Sequence, residues 1–325
     1  MKVICSINSD VWVLPESLVD NLRGRFPGIT FVNVPRRDDR PREFPDADIL
    51  FLSQLKPEEF RAAPNVRWIQ SPAAGVGSLL FPELRQSPVV LTNARGIHGE
   101  PMAEHVIGLT IVLFRQIHRA IRRQAAHDWG KDDLGSFRSL AGSRMGIIGL
   151  GAIGRAVAAK ASALGMEVVA ARRGHPERVD QPPPGVSKVY TPSELRTFLA
   201  GSDVVVVAAP LTEETRGLIG GAEVRLMKPT AILINVARGK LLREAEVADE
   251  LAKGTIAGAA LDVFEHEPLD PASPLWDLPN VVITPHTSAF RRDYWDAAVA
   301  LFADNLQRRL RGEPLVNVVD KDAGY

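Results

Sequence analysis

The stretch Met145-Gly-Ile-Ile-Gly-Leu-Gly-Ala-Ile-Gly154 decides the fold. Met145–Ile148 is a short apolar run of the kind a buried strand requires, and Ala156 to Leu164 carries a helical pattern. Between them Gly149, Gly151 and Gly154 stand at the spacing of a phosphate-cradling turn, and each has its own task. Gly149 allows the tight turn, Gly151 lets backbone approach a pyrophosphate, and Gly154 lets helix and strand pack closely. The helix start at Ala152 and Ile153 then offers free N–H groups and a partial positive charge to phosphate oxygens. A strand-turn-helix of this kind predicts a dinucleotide site in an α/β protein.

Reading outward, the alternation of strand-like and helical segments continues in both directions. Downstream, Glu167–Ala171, Asp203–Ala208, Ala231–Val236, Ala257–Leu261 and Val281–Thr284 join Met145–Gly149 to make six strands of a doubly wound sheet. Upstream, Val3–Ile7, Thr30–Val34, Ile49–Ser53 and Val66–Gln70 predict a second α/β unit. Pro101 to His127 predicts one long helix, suited to joining domains or meeting a partner subunit. Arg291 to Arg311 predicts an amphipathic helix with Tyr294, Trp295, Ala298, Leu301, Phe302 and Leu306 facing inward. The loosest linker is Gln181–Gly185, with three consecutive prolines.

Composition narrows the function. The 325 residues carry 39 Lys and Arg against 39 Asp and Glu, so no global basic field exists to hold nucleic acid or an anionic membrane. A single cysteine, Cys5, excludes an internal disulfide and a cysteine-based zinc site, and reads as a small buried residue of the first strand. No metal is expected. No apolar run has the length of a membrane span, and Asn8, Ser9 and Asp10 interrupt any signal-type core, so the chain reads as soluble and cytoplasmic.

The end of the strand after the glycine turn selects between dinucleotides. An NAD site places Asp or Glu there for the ribose 2′-hydroxyl. This chain reads Val169-Ala-Ala-Arg172-Arg173 instead, with two guanidinium groups where a 2′-phosphate would lie. One charge-assisted contact is worth about 1.5–3 kcal/mol, or roughly tenfold to hundredfold. NADP(H) is the expected cofactor, with NAD(H) left open as the alternative.

Three segments place polar residues where apolar strands end: Asn235-Val236-Ala237-Arg238-Gly239, Leu261-Asp262-Val263-Phe264-Glu265-His266-Glu267, and Thr284-Pro285-His286-Thr287. In open parallel sheets chemistry collects at those ends. An arginine, a carboxylate and a histidine converging there suit reduction of a 2-oxo acid. Arg238 would bind the substrate carboxylate and polarise its carbonyl. His286 would donate the proton, and Glu267 would orient His286 and favour its imidazolium.

With these segments, and with Pro210-Leu-Thr-Glu-Glu-Thr215 and Pro274-Leu-Trp276, nearly the whole chain resembles the D-isomer-specific 2-hydroxyacid dehydrogenase family. The resemblance implies a Rossmann-type doubly wound parallel sheet, residues 99–286, inserted into a smaller flavodoxin-like α/β substrate domain made of residues 1–98 and 287–325. It also implies a homodimer through the cofactor domain. By position the family's catalytic triad falls on Arg238, Glu267 and His286, with Glu267 chosen over Glu265 by spacing from Asp262. Asp262 resembles the residue that contacts the nicotinamide carboxamide. Further cofactor contacts are implied at Pro210, Thr215, Val236, Ala237, Arg238, His286 and Ser288. The carboxylate-binding loop falls on Ala74, Gly75, Val76 and Gly77, preceded by Ala73, and Ser53 and Gln54 are expected to line the same cleft. Arg172 departs from NAD-dependent relatives, which carry an acidic residue there; glyoxylate and hydroxypyruvate reductases often carry basic ones. The chain stops soon after the Arg291–Arg311 helix, so an effector-binding tail like that of serine-pathway phosphoglycerate dehydrogenases is not expected.

The remaining candidates read as structural. His98 and His105 lack a supporting ligand set, His118 and His127 are expected at the surface, and His266 is expected to face away from Glu267. His175 could reach a 2′-phosphate. Trp12, Trp68 and Trp129 read as packing residues. Two alternatives to the reductase stay open: a co-repressor-like nucleotide-sensing scaffold, and a phosphite- or formate-type dehydrogenase. The formate branch carries glutamine beside the histidine, where this chain has Glu267.

Overall fold

A computed structural model describes residues 1–7, 13–130, 135–172 and 182–324. The chain divides into two compact units, Met1–Ile97 with Arg291–Tyr325, and His98–Phe290. Arg173, His175, Trp12 and the first linker residue, Gln181, lie outside the described residues.

The first unit is built on five parallel strands, β1 (Lys2–Ser6), β2 (Thr30–Asn33), β3 (Ile49–Leu52), β4 (Trp68–Gln70) and β5 (Val90–Thr92). Their order, β2-β1-β3-β4-β5, is that of a flavodoxin-like sheet. The alternation predicted four strands; the fifth is the three-residue Val90–Thr92. Helices α1 (Glu16–Arg25), α2 (Arg40–Glu43), α3 (Pro57–Arg61) and α4 (Pro82–Gln86) fill the connections. The C-terminal helix, Tyr294–Leu310, completes the unit across the length of the chain. Its Phe302 stacks on Phe51, with centroids 4.8 Å apart, and on Trp68 at 5.3 Å. Tyr294, Ala298, Phe302 and Leu306 are buried as expected, while Trp295 and Leu301 are only partly covered. Cys5 is fully buried in β1, and burial pushes its thiol up to about 12.

At the carboxyl ends of β1 and β3 this unit holds an unusual charge cluster. Arg40 is 1% exposed. Its Nε donates to Ser6 Oγ at 2.9 Å, and Nη1 donates to the Gln54 carbonyl at 3.0 Å and to Glu59 at 3.1 Å. Glu59 also takes two nitrogens of Arg37 at 2.7 Å and the Lys56 N–H at 2.6 Å. The guanidinium is thus satisfied, which burial of a charge demands, and the cluster fixes the Ser53–Lys56 loop.

The second unit has seven parallel strands: β6 (Arg144–Ile148), β7 (Glu167–Ala171), β8 (Lys188–Tyr190), β9 (Val204–Val207), β10 (Ile232–Asn235), β11 (Gly258–Leu261) and β12 (Val281–Ile283). The order is β12-β11-β10-β9-β6-β7-β8. Counted from β6 this is the 3-2-1-4-5-6 arrangement with one further strand, and the order reverses between β6 and β9. Six strands were expected. The seventh, β8, is a three-residue edge strand just after the proline linker, paired only with β7.

One helix was expected over Pro101 to His127, and two form: α5 (Gly99–Phe114) and α6 (Ile117–Ala125). Gln116 adopts φ 56°, a left-handed conformation that ends the helical ladder. With no Gly or Pro at the break, hydrophobic periodicity runs straight through it. The turn carries His118 back so that Nδ1 lies 3.2 Å from the Val112 carbonyl oxygen. His118 is therefore buried, not superficial, and burial lowers its pKa. Trp129 corrects the reading in the other direction: it is 95% exposed. Helices α7 (Ala152–Ala163), α8 (Leu195–Gly201), α9 (Gly221–Val224) and α10 (Glu244–Ala252) complete the unit.

Glu59 gives the first unit a testable pH response. Burial alone would raise its pKa, but the Arg37 bonds, the Lys56 N–H and Arg40 outweigh it and hold the carboxyl at about 2, below its ordinary 4.5. A depressed carboxyl stabilises the fold fully above its unfolded pKa and loses that contribution as pH falls through the folded one. Urea denaturation of wild type and Glu59→Gln should therefore show a stability gap at pH 7 that narrows as pH drops from 4.5 towards 2. A gap independent of pH would show that the ionised carboxylate is not the source.

Candidate active site

The glycine turn leaves β6 and enters α7. Gly149 has φ +100°, and a Cβ there would lie 2.8 Å from the Ala208 carbonyl oxygen at the end of β9. A side chain at 154 would run into the Gly149 carbonyl, so only glycine lets α7 approach the strand this closely. Gly151 is the opposite case, since a Cβ there would meet nothing within 4 Å. The first bond of α7 runs from the Arg155 N–H to the Gly151 carbonyl at 3.0 Å, which leaves the Ala152, Ile153 and Gly154 N–H groups as the helix's unused donors. Close packing on two sides and open space at Gly151 make a cradle that fits a diphosphate. Arg172 follows β7 directly and is partly exposed, with its N–H bonded to the Tyr190 carbonyl at 3.2 Å.

After β9, Thr215 closes the Pro210–Thr215 loop: its hydroxyl donates to the Pro210 carbonyl at 2.7 Å and accepts from the Thr212 N–H at 2.8 Å. After β10, the buried Asn235 shapes the next turn. Its amide donates to the Arg238 carbonyl at 3.0 Å and accepts from the Ala237 N–H at 3.1 Å, so Val236 and Ala237 are fixed and Arg238 projects outward. Gly239 lies against the Phe264 backbone with no room for a Cβ, and this ties the Arg238 turn to the segment that carries Glu267. Desolvation lowers the Arg238 guanidinium's pKa, and the Glu267 carboxylate opposes that shift.

The segments after β11 and β12 meet on Asp262, which is fully buried. Its Oδ1 accepts from the Thr284 hydroxyl at 2.6 Å and the Thr287 N–H at 2.9 Å, while Oδ2 accepts from the Ser288 N–H at 3.1 Å. The Asp262 carbonyl accepts the His286 N–H at 2.9 Å. His286 sits inside this clamp at φ 54°, a left-handed conformation that costs a non-glycine residue about 1–2 kcal/mol. Its Nδ1 lies 2.6 Å from Glu267 Oε2, and the other Glu267 oxygen accepts the Phe264 N–H at 3.0 Å. Nδ1 is thereby engaged, and Nε2 is the ring nitrogen left for a substrate.

Of the two neighbouring glutamates, only Glu267 reaches His286. Glu265 instead exchanges backbone bonds with Glu244 at the start of α10: the Glu244 N–H donates to Glu265 at 3.1 Å, and the Glu265 N–H donates to Glu244 at 2.9 Å. Burial, together with the nearby Glu265 and Glu267 carboxylates, raises the Glu244 pKa despite that bond. His266 is exposed.

Sequence reasoning missed His105 as part of this network. From α5, its Nε2 lies 3.1 Å from the Thr284 hydroxyl oxygen. Thr284 gives its one proton to Asp262, so His105 must donate through Nε2–H. Burial lowers the His105 pKa, partly offset by Asp262. No sequence signal links residues 105 and 284; only the fold brings them together. Among the described residues no group of three or more His, Cys, Asp or Glu is placed to hold a metal, and no helix is long and apolar enough to cross a membrane.

In the first unit, Ala74, Gly75, Val76 and Gly77 form the loop after β4. Val76 is buried while Gly75 and Gly77 are exposed. The Asn93 amide donates to the Ala74 carbonyl at 2.8 Å, and the Ser78 hydroxyl donates to the Ser53 carbonyl at 3.3 Å, joining this loop to the one fixed by Arg40.

The second unit thus has the strand order and phosphate turn of an NAD(P)-dependent oxidoreductase. The chain belongs to the D-isomer specific 2-hydroxyacid dehydrogenase family, whose NAD-binding-domain model matches residues 107–288. It is 33% identical over 297 residues to a glyoxylate reductase of Thermofilum pendens, covering 89% of this chain and 86% of the relative. It is 34% identical over 311 residues to a D-3-phosphoglycerate dehydrogenase of Archaeoglobus fulgidus, covering 94% of this chain but 58% of that longer protein. A crystal structure of an NADPH-dependent glyoxylate/hydroxypyruvate reductase from Sinorhizobium meliloti, in complex with NADP and sulfate, superposes with a TM-score of 0.85 at 30% identity, over 100% of this chain and 99% of that one. A D-isomer specific 2-hydroxyacid dehydrogenase from Xanthobacter autotrophicus, in complex with NADPH and MES, gives 0.84 at 31% identity, over 99% of each chain.

Asp262→Asn tests the clamp. An amide in place of the carboxylate turns one acceptor into a donor that faces backbone N–H groups. Turnover should fall at least about tenfold, in line with a positioning loss of more than 1.4 kcal/mol. The melting temperature should drop by only a few degrees. Unchanged turnover would show that the His286 turn holds itself.

Proposed function

We propose that this protein reduces a small 2-oxo acid of the glyoxylate or hydroxypyruvate type to the D-2-hydroxy acid, with NADPH preferred over NADH. The observation that carries the reading is the Glu267–His286 pair, 2.6 Å apart at the carboxyl edge of the sheet. Its support comes from Arg238 on the adjoining strand end and from relatives named glyoxylate reductase and glycerate dehydrogenase.

The residues divide the work as follows. Arg238 binds the substrate carboxylate and polarises the carbonyl. His286 Nε2 gives its proton to the carbonyl oxygen as it becomes a hydroxyl, and Glu267 holds Nδ1–H so that the imidazolium is stabilised and aimed. When bound, the nicotinamide cofactor supplies the hydride. Gly149, Gly151, Ala152, Ile153 and Gly154 hold its diphosphate, and the loops at Pro210–Thr215, Val236–Arg238, Asp262 and Ser288 border its remainder. Asp262 has one lone-pair position beyond its three described donors, so it can clamp the His286 turn and still accept a carboxamide N–H. Arg172, with Arg173 beside it in sequence, reads the 2′-phosphate, since these arginines and not a carboxylate directly follow β7. A homodimer through the cofactor-binding unit accounts for the exposed Ile117 and Ile121 on α6.

Steady-state assays with glyoxylate, hydroxypyruvate, pyruvate and phenylpyruvate test the reading. His286→Ala and Glu267→Gln should each lower kcat by at least about a hundredfold while leaving the NADPH dissociation constant within a factor of two or three. Unchanged turnover in both variants would remove Glu267 and His286 from the chemistry, and binding of cofactor without turnover on any acid would move the protein to the scaffold alternative. For cofactor choice, kcat/KM should favour NADPH, and Arg172→Ala should reduce that preference about tenfold. A wild-type preference for NADH would remove Arg172 from the 2′-phosphate.

A further inference from the structure

The glycine turn has no polar side chain of its own: Gly149, Leu150, Gly151, Ala152, Ile153 and Gly154 offer backbone alone. A diphosphate carries about two negative charges, and helix N–H groups meet them with only about half a unit of positive charge. The next residue is Arg155. Helical side chains lean towards the N-terminus, and this one does so far enough for Nε to donate to the Leu150 carbonyl at 3.1 Å. Leu150 lies between Gly149 and Gly151, so the guanidinium folds back onto the turn while the space at Gly151 itself stays open. Arg155 is exposed, and among the described residues it has no ion-pair partner. One of its five N–H donors is spent on Leu150, and both terminal nitrogens remain.

We infer that Arg155 is a diphosphate-binding residue of this chain, supplying the charge that Ala152 and the glycines do not. The Leu150 bond preorganises the guanidinium, so that little side-chain freedom is lost on binding. The inference rests on the reading that the turn holds the dinucleotide. It assigns Arg155 a different part of that molecule from Arg172, which follows β7 and faces the 2′-phosphate in the proposal above.

Calorimetric titration of the full chain with NADP+, NAD+, ADP-ribose and adenosine 2′-monophosphate separates these roles. Arg155→Ala should weaken NADP+, NAD+ and ADP-ribose by a similar factor of about ten. Adenosine 2′-monophosphate, which has no diphosphate, should be unaffected. Arg155→Gln should lose as much as Arg155→Ala, because an amide can bond Leu150 but brings no charge. The wild-type advantage should shrink as salt rises from 0.05 to 0.5 M, as about threefold shortening of the screening length requires. Affinity restored by Arg155→Gln would reduce Arg155 to a brace for the turn, and a loss confined to NADP+ would place it on the 2′-phosphate; either overturns the inference. Wild-type protein that binds none of the dinucleotides would overturn the glycine-turn reading itself. Normal wild-type binding with unaffected variants would overturn only the role of Arg155.

Discussion

The buried Asp262 carboxylate is the contact on which the arrangement of His286 depends. A carboxylate with no solvent exposure is tolerable only when its oxygens are met by donors, and Thr284, Thr287 and Ser288 meet them. Those three donors belong to the segment after β12, so satisfying one buried group bends that segment around it. The left-handed backbone of His286 is a consequence: the turn is strained, and the bonds to Asp262 offset the strain. They also keep Thr287 and Ser288 with the second unit, which extends to Phe290. Glu267 reaches His286 because the chain leaving Asp262 is held in turn by the Phe264 N–H and by the missing side chain of Gly239.

The same logic recurs at smaller scale at the carboxyl edge of each sheet. Parallel strands end in loops whose backbone groups have left the ladder and need partners. Asn235 supplies them after β10, Thr215 after β9, and Arg40 with Glu59 after β1 and β3. Each of these residues is buried or nearly so, and each leaves a neighbour projecting outward.

Much of this was legible beforehand. The glycine turn carries its meaning in residue identity, because a Cβ at 149 or 154 has nowhere to go, and the buried strands announce themselves as apolar runs bounded by polar turns. What escaped notice had no local signature. β5 and β8 are three-residue strands outside the runs read from the sequence, and the break at Gln116 contains neither glycine nor proline, so α5 and α6 read as one helix. His118 was misplaced for the same reason, since its burial follows from that break. Trp129 is a large apolar residue left in solvent, which residue type alone would not indicate.

By itself, the sequence determined the class of fold, the family, the position of the phosphate turn and the three residue types gathered at strand ends, because each is written in local spacing or in composition. Tertiary structure alone decided that His105 stands behind Thr284 and that Asp262 is a clamp at the centre of the turn. Residues 105, 262 and 284 lie on separate elements, and their hydrogen bonds exist only once β11 and β12 are in register and α5 is packed beside them. A hydrogen bond is a matter of tenths of an ångström and a direction. A one-dimensional pattern contains neither, and packing supplies both.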